Sequence, residues 1–173
     1  MANIREIQTR INSVKDTMKI TNAMYLISSS KLRKARKNYQ NVSPYFNRMR
    51  DTISRVVPHL PEEPVHPFFH ERNIANPKRA YIYTRIENAL TSEPTMVRLL
   101  PLDRAHLQPA PKGLGDPKGD VEMFPSAWTV FEQIAPIYMH GMIFGAMTES
   151  FCAEQSARMT AMDSATKNAN DMI

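Results

Sequence analysis

The side chains of this sequence that could do chemistry are few and scattered. Three histidines, His59, His66 and His70, lie in a proline-rich stretch. Because no cysteine and no regular ligand spacing accompany them, ordinary loop histidines are a better interpretation than a metal site. The single cysteine, Cys152, has no histidine near it in sequence, so a small core residue is favoured over a nucleophile. The carboxylates form no acid–base pair, and the common phosphate, metal and hydrolase motifs are absent. We therefore expect no catalytic residue, no metal and no cofactor.

The most pronounced charged feature is a run of cations without any intervening carboxylate, which we call the basic ring: Lys31, Arg33, Lys34, Arg36 and Lys37. The plain interpretation is a solvated helix face, and the sharper one is a ring presented to an acidic partner. A DNA-binding basic region beside a zipper is a third possibility. It fits less well, because the apolar repeat described next continues through the run. The net charge of +5 also favours an acidic partner without choosing its kind.

The basic ring lies within a long apolar repeat, whose positions we call the seam. Apolar residues alternate at spacings of three and four, and only Thr21 and Ser28 interrupt them: Ile4, Ile7, Ile11, Val14, Met18, Tyr25, Leu32, Ala35, Tyr39, Val42, Phe46, Met49, Ile53 and Val56. Such heptads predict a coiled-coil helix roughly 80 Å long, kinked at Pro44 and ended by Pro58. The two polar interruptions either let two helices approach or mark a narrowing of the pair.

A second long helix is predicted from Ser126, a good N-cap residue, to the last residue, with a kink at Pro136. Its predicted apolar stripe has the same alternation: Val130, Ile134, Ile137, Gly141, Phe144, Thr148 and Phe151, followed by Met159, Met162, Ala165 and Ala169. Two striped helices at opposite ends of one chain bury each other best as an antiparallel pair.

Between the helices, strands are predicted at 80–83 and 95–102, with a further edge strand at 121–124 and a flexible loop at 108–120. The sequence therefore predicts a mainly α fold in four regions. These are an N-terminal coiled-coil helix (1–57), a polar, proline-rich connector (58–77), a remnant of an α/β middle domain (78–124) and a C-terminal coiled-coil helix (125–173).

Two stretches of the sequence carry a family resemblance. The N-terminal one includes Ile4-Arg5-Glu6-Ile7 and Ser30-Lys31-Leu32-Arg33-Lys34-Ala35, and the C-terminal one includes Glu149-Ser150, Ala153-Glu154-Gln155 and Ala157-Arg158-Met159. Together they resemble the gamma subunit of the F-type ATP synthase, the central rotor shaft of its catalytic head. Glu93-Pro94-Thr95 also looks like the strand that closes the Rossmann-like middle domain of that family.

The sequence departs from the family pattern in two places. Around Tyr81 to Thr84 it passes directly from the first strand of the Rossmann-like domain to the last, and it stops at Ile173, before the helical tip of the family. Because a two-strand remnant is hard to stabilise alone, we expect a segment to be missing between Ile82 and Arg85 and a spatial gap to separate these residues.

The resemblance implies a non-catalytic rotor subunit that turns inside a hexamer of alternating alpha and beta subunits. Its implied foot partners are the epsilon subunit and the membrane c-ring. The implied location is the cytoplasmic face of a bacterial inner membrane, without a membrane span of its own. Met24 and the basic ring match the part of the gamma subunit that faces an acidic segment of the beta subunit, the lever. Arg158 matches an arginine of the shaft near that level.

We therefore take Met24, Lys31, Arg33, Lys34 and Arg158 as candidate partner contacts. The alternative function is a basic coiled-coil protein that binds nucleic acid. A third hypothesis, an enzyme that uses the middle region, has no residue cluster in the sequence to support it.

Overall fold

A computed structural model describes residues 2–63, 65–70, 80–88, 91–107 and 122–173. Helix α1 spans Ala2–Val56 and helix α2 spans Ala127–Asp171. Strands β1 (Ala80–Ile86) and β2 (Ser92–Arg98) form one two-stranded sheet. Short 3-10 turns follow α1 and β2, at Val57–His59 and Ala105–Leu107. The mainly α fold with a partial middle domain is thus confirmed.

These elements form two compact units, and each unit contains a piece of both helices. The first unit comprises Met1–Tyr39, Thr84–Glu93 and Thr148–Ile173. The second comprises Gln40–Tyr83 and Pro94–Met147. Because each unit buries part of α1 against part of α2, the predicted pairing of the terminal helices can be followed inside each unit separately.

The seam predicted for α1 is buried or half-buried along almost its whole length. Its exposed members are Ile4, Ile7 and Tyr39. The helix continues through Pro44 to Val56, two residues before Pro58, as the unbroken repeat predicts. The periodicity of the seam therefore outweighs the local cost of an interior proline.

In the first unit, two threonines join the helices across the seam. The hydroxyl oxygens of Thr21 and Thr166 are 2.8 Å apart. Each hydroxyl also lies near a carbonyl oxygen of its own helix, Met18 at 3.0 Å and Met162 at 2.9 Å. Since each hydroxyl has a single proton, one of them must donate across the seam. Farther along, Arg36 of α1 acts electrostatically on Cys152 of α2, so the two helix segments run antiparallel.

The second unit contains a larger apolar core, built from α1, α2 and the segments between them: Ile53, Val56, Val57, Leu60, Leu102, Leu107, Phe131 and Ala135. Phe46 of α1 contacts Phe144 of α2, whereas Ile53, farther along α1, shares the core with Phe131, earlier in α2, so the helix segments are antiparallel here too. The described part of the connector predicted at 58–77 contributes two buried side chains to this unit, Leu60 and His66. Pro64 and residues 71–77 lie outside the described residues.

The stripe predicted for α2 is only partly buried in its first half, where Val130 and Ile134 pack against the core and Gly141 is buried. Ile137, Phe144 and Phe151 are each about 40% exposed, whereas Phe131 and Ala135 are completely buried. Apolar residues occur on several faces of this helix, so counting large side chains does not fix the buried face. The interior faces instead hold many small residues, which let the helices approach: Ala135, Gly141, Ala146, Cys152, Ala153 and Ala169.

Ser126 caps α2 as predicted. Its hydroxyl oxygen accepts a hydrogen bond from the backbone N–H of Thr129 at 3.2 Å, and its carbonyl accepts one from Val130 at 3.1 Å. The first bond satisfies one of the donors that the first turn of a helix leaves unpaired, and the second is the first hydrogen bond within the helix.

The two strands form a hairpin, and this overturns the expected gap. Ile82 and Arg85 lie in one continuous strand, β1, and five residues lead from its end to β2. A link this short joins antiparallel neighbours. The backbone N–H of Ile86 donates to the carboxylate of Glu149 on α2 at 3.0 Å, which helps to hold this otherwise marginal element.

The strand boundaries also differ from the predicted ones. Residues 84–86 and 92–94 are in strands although their sequence has no clear apolar face, and β2 ends at Arg98 before the predicted 102. Residues 122–124 are not in a strand, and residues 108–121 lie outside the described residues.

Replacing Gly141 with alanine should destabilise the second unit. A Cβ at this position would overlap the Phe46 ring, and overpacking of a core costs about 1–3 kcal/mol. Gly145 is the matched control, because no described residue crowds it in this way, so Gly145→Ala should gain up to ~1 kcal/mol of helix propensity. Urea unfolding measures both, and equal shifts of the two midpoints would contradict the close packing of Phe46 on Gly141.

Replacing Thr21 with valine should cost about 1 kcal/mol of unfolding free energy, because it removes the cross-seam hydrogen bond and keeps the side-chain shape. The control is Thr17→Val, since the Thr17 hydroxyl donates only to the Ser13 carbonyl of its own helix. A double-mutant cycle of Thr21→Val with Thr166→Val should give a coupling energy, and strict additivity would show that the threonines do not interact.

Candidate functional site

The basic ring occupies one complete heptad of α1 in the first unit. Its seam positions are Leu32, which is buried, and Ala35, which is half-buried. Each of the five remaining heptad positions carries an exposed cation: Lys31, Arg33, Lys34, Arg36 and Lys37. Because those positions cover all directions except the seam, the charges surround the helix rather than line one face.

The charge of the basic ring is not neutralised within the described part of the chain. None of its five cations forms an ion pair there, whereas other surface cations do. Arg10 pairs with Glu6 at 3.3 Å, Lys19 pairs with Asp16 at 2.9 Å, and Lys167 pairs with Asp163 at 2.6 Å. A concentrated, unpaired positive charge attracts an acidic surface.

Met24 lies on an exposed apolar stripe that was not predicted from the sequence. Ile20, Met24 and Ile27 are 61%, 39% and 53% exposed and are separated by four and three residues, so they share one face outside the seam. The same spacing continues into Lys31 and Lys34. A second repeat displaced from the seam is the sequence signal that identifies Ile20 and Ile27 as additional candidate contacts.

Arg158 is bound to its own helix rather than to the basic ring. Its guanidinium donates to the Glu154 carboxylate one turn earlier, at 2.5 Å. The antiparallel register set by Thr21 with Thr166 places Arg158 opposite Ser29 and Ser30, between the levels of Met24 and of the basic ring. The candidate contacts thus lie in one unit and at neighbouring levels, although Arg158 forms its ion pair with Glu154 of its own helix.

The seam at this level is lined by small and polar side chains. Thr21 and Ser28 are buried, which supports the prediction that the polar interruptions let the helices approach. Gln155 of α2 is buried as well, and its carbonyl oxygen has no partner among the described residues. Small side chains in the seam let the two helices approach closely at this level.

Cys152 is a buried side chain, as the sequence predicts. Burial raises the pKa of its thiol, with Glu149 acting in the same direction and Arg36 in the opposite one. A thiol held in its neutral form is a poor nucleophile. Cys152 therefore acts as a small apolar residue in the first unit.

The described histidines, cysteine and carboxylates show no group of three or more that could hold a metal ion. His59 and His70 are exposed, and His66 is buried among aromatic rings. Neither of the two long helices is apolar enough over a sufficient length to cross a bilayer. The arrangement that remains is an exposed surface of cations and apolar side chains on a helix pair.

Comparison with known proteins gives the family. A sequence model described as ATP synthase matches residues 3–82 and 78–173. The chain is 26% identical to the ATP synthase gamma chain of Acetivibrio thermocellus over 269 positions, covering 100% of this chain and 90% of the relative. It is 27% identical to that of Malacoplasma penetrans over 260 positions and 25% identical to that of Cupriavidus pinatubonensis over 263, each covering 100% of this chain and 90% of the relative.

These alignments span far more positions than the 173 residues of the chain, so the relatives contain an internal segment without a counterpart here. The two matched ranges meet at residues 78–82, where β1 begins. The matches therefore cover both helices, and the missing part belongs to the middle domain. The chain belongs to the gamma-chain family of ATP synthases.

Proposed function

We propose that this chain is the central-stalk rotor subunit of an F-type ATP synthase. It couples ion flow across a membrane to ATP synthesis or hydrolysis by turning inside a hexamer of alpha and beta subunits. The observation that carries this proposal is the family match over both helices, together with the antiparallel packing of their segments within each unit.

The chain performs no catalytic step in this proposal. Coupling requires that each orientation of the shaft stabilises one conformation of a beta subunit over another, since a rotor that touched all conformations equally could not bias nucleotide affinity. Met24, Lys31, Arg33, Lys34 and Arg158 supply the contacts. Exposed ion pairs contribute about 1 kcal/mol or less each, so the exposed apolar side chains and the asymmetric shape must contribute as well.

The proposed partners follow from the same role. Alpha and beta subunits surround the shaft, and the epsilon subunit and the c-ring hold its foot at the cytoplasmic face of a bacterial membrane. A net charge of +5 and a basic ring without ion pairs among the described residues suit acidic surfaces on these partners. A nucleic-acid-binding role, the alternative, has no support from the relatives named above, which are ATP synthase gamma chains. Titration with duplex DNA at several salt concentrations tests this alternative directly. Nucleic-acid binding predicts an affinity that falls as the salt concentration rises, and no binding at any salt concentration would contradict it.

Co-expression with alpha and beta subunits should yield a stable complex that contains this chain. Leu32→Asp places a charge in the buried seam and should abolish co-purification, whereas Asn41→Asp changes an exposed position of the same helix and should not. The measurement is gel filtration of affinity-purified complex. Recovery of the wild-type chain only as a free monomer, with no hexamer bound, would rule out the rotor role.

Replacing Lys31, Arg33 and Lys34 together with alanine should lower coupled ATP turnover by about three- to tenfold while assembly is kept, because three weak contacts to an acidic surface are lost. The matched control removes three exposed cations elsewhere on α1: Arg48, Arg50 and Arg55. Unchanged turnover of the first variant in the assembled complex would show that the basic ring is only a solvated surface.

A further inference from the structure

His66 is a buried histidine in the second unit whose role the rotor function does not explain. It is 2% exposed, and its ring centroid lies 4.3 Å from that of Trp128 and 4.8 Å from that of Phe131, both on α2. Phe68 and Phe69 complete the enclosure, at 5.3 Å and 6.5 Å. His66 therefore fastens the connector that follows α1 to the first turns of α2.

The hydrogen bonds of His66 define its protonation state. The backbone N–H of Phe68 donates to His66 Nδ1 at 3.4 Å, so Nδ1 acts as an acceptor and the ring proton lies on Nε2. Nε2 is buried and has no hydrogen-bond partner among the described residues. A second proton can only be added at Nδ1, where it would oppose the N–H of Phe68.

The turn that contains this hydrogen bond joins three segments of the second unit. The N–H of Phe69 donates to the His66 carbonyl at 2.9 Å, and the N–H of Leu102 donates to the Phe68 carbonyl at 2.8 Å. The Phe69 ring stacks on Phe131 with centroids 5.1 Å apart. Loss of the acceptor at Nδ1 therefore acts on the connector, on the segment around Leu102 and on α2 at once.

Few charged groups face this histidine. Burial lowers its pKa below the ordinary value of 6.5, and Glu132 on α2 opposes this by favouring the cation. From the segment after β2, the guanidinium of Arg104 lies over the Phe69 ring at 5.0 Å and donates to the Pro61 carbonyl. The charged neighbours on its own segment, Glu62, Glu63 and His70, are exposed.

We infer that His66 is an acid-operated latch, in which protonation of Nδ1 breaks its hydrogen bond with Phe68 and releases the connector from the start of α2. The neutral ring is bound at and above neutral pH. His66 binds a proton more readily in the released form than in the closed form, where the ring is buried and Nδ1 accepts a hydrogen bond. A fall in pH through the ordinary histidine range therefore shifts the equilibrium from the closed to the released form. The change is local, because the helix seam of the first unit contains none of these groups.

The test measures release and protonation separately on the full chain. Amide hydrogen exchange of Leu102, corrected for the intrinsic effect of pH, should accelerate about tenfold between about pH 7.5 and pH 5.5. The NMR titration of the His66 ring should have the same midpoint. The fluorescence of Trp128, the one tryptophan of the chain, reports the same change.

His66→Asn keeps an acceptor for the Phe68 N–H but cannot be protonated, so its Leu102 exchange should not depend on pH after the same correction. His70→Asn, at an exposed position of the same connector, should behave like the wild type. If His66 titrates while Leu102 stays protected, or if His66→Asn shows the same acceleration, the latch does not exist. Equal acceleration of the Ile53 amide on α1 would indicate general unfolding and would also overturn it. The wild-type comparison of His66, Leu102 and Ile53 decides the question even if His66→Asn fails to fold.

Discussion

Burial of the α1 seam against α2 is the interaction on which the other features depend. Two of every seven positions on α1 must face the second helix, and the seam does not constrain the remaining five. At residues 31–37 those five positions are all cationic. Ile20, Met24 and Ile27 also lie outside the seam, and they are apolar and exposed. A helix pair can present such side chains in all outward directions only because a continuous seam already supplies the packing energy.

The two units bury this seam in chemically different ways. The first uses small and polar side chains, including the pair Thr21 and Thr166, and has few large buried residues. The second has an aliphatic and aromatic core around Ile53 and Phe131, to which the connector contributes His66. The second unit therefore retains a core of its own, although the relatives contain a middle segment that has no counterpart in this chain.

Much of this fold could be predicted from the sequence, because long repeats and caps are local signals. The seam of α1, its continuation through Pro44 and the cap at Ser126 are examples. The buried face of α2 could be predicted only in part, since small residues such as Ala135 and Ala146 are buried for close approach while Phe144 is 40% exposed. The burial of His66 and the hairpin depend on contacts distant in sequence, with Trp128 and Glu149, which no local pattern contains.

The candidate site was predictable in part for the same reason. A run of cations is visible in the sequence, and the structure adds that none of its members is paired within the described residues. The exposed stripe through Met24 could not be predicted in this way, because the longer repeat of the seam dominates the periodicity and the stripe is a shorter repeat beside it. Arg158 is a candidate contact only through the family resemblance, and its ion pair with Glu154 becomes visible only in the structure.

Disulfide formation between positions 21 and 166 tests the central claim most directly. Cysteines replacing Thr21 and Thr166, with Cys152→Ser to remove the native thiol, should form an intramolecular disulfide in high yield, because the two hydroxyl oxygens lie 2.8 Å apart. The assembled complex should keep its ATP turnover after oxidation, since a rotor whose helices stay paired loses nothing when they are joined. An equal yield from the mismatched pair of positions 17 and 166, or no bond at all, would contradict the antiparallel pairing.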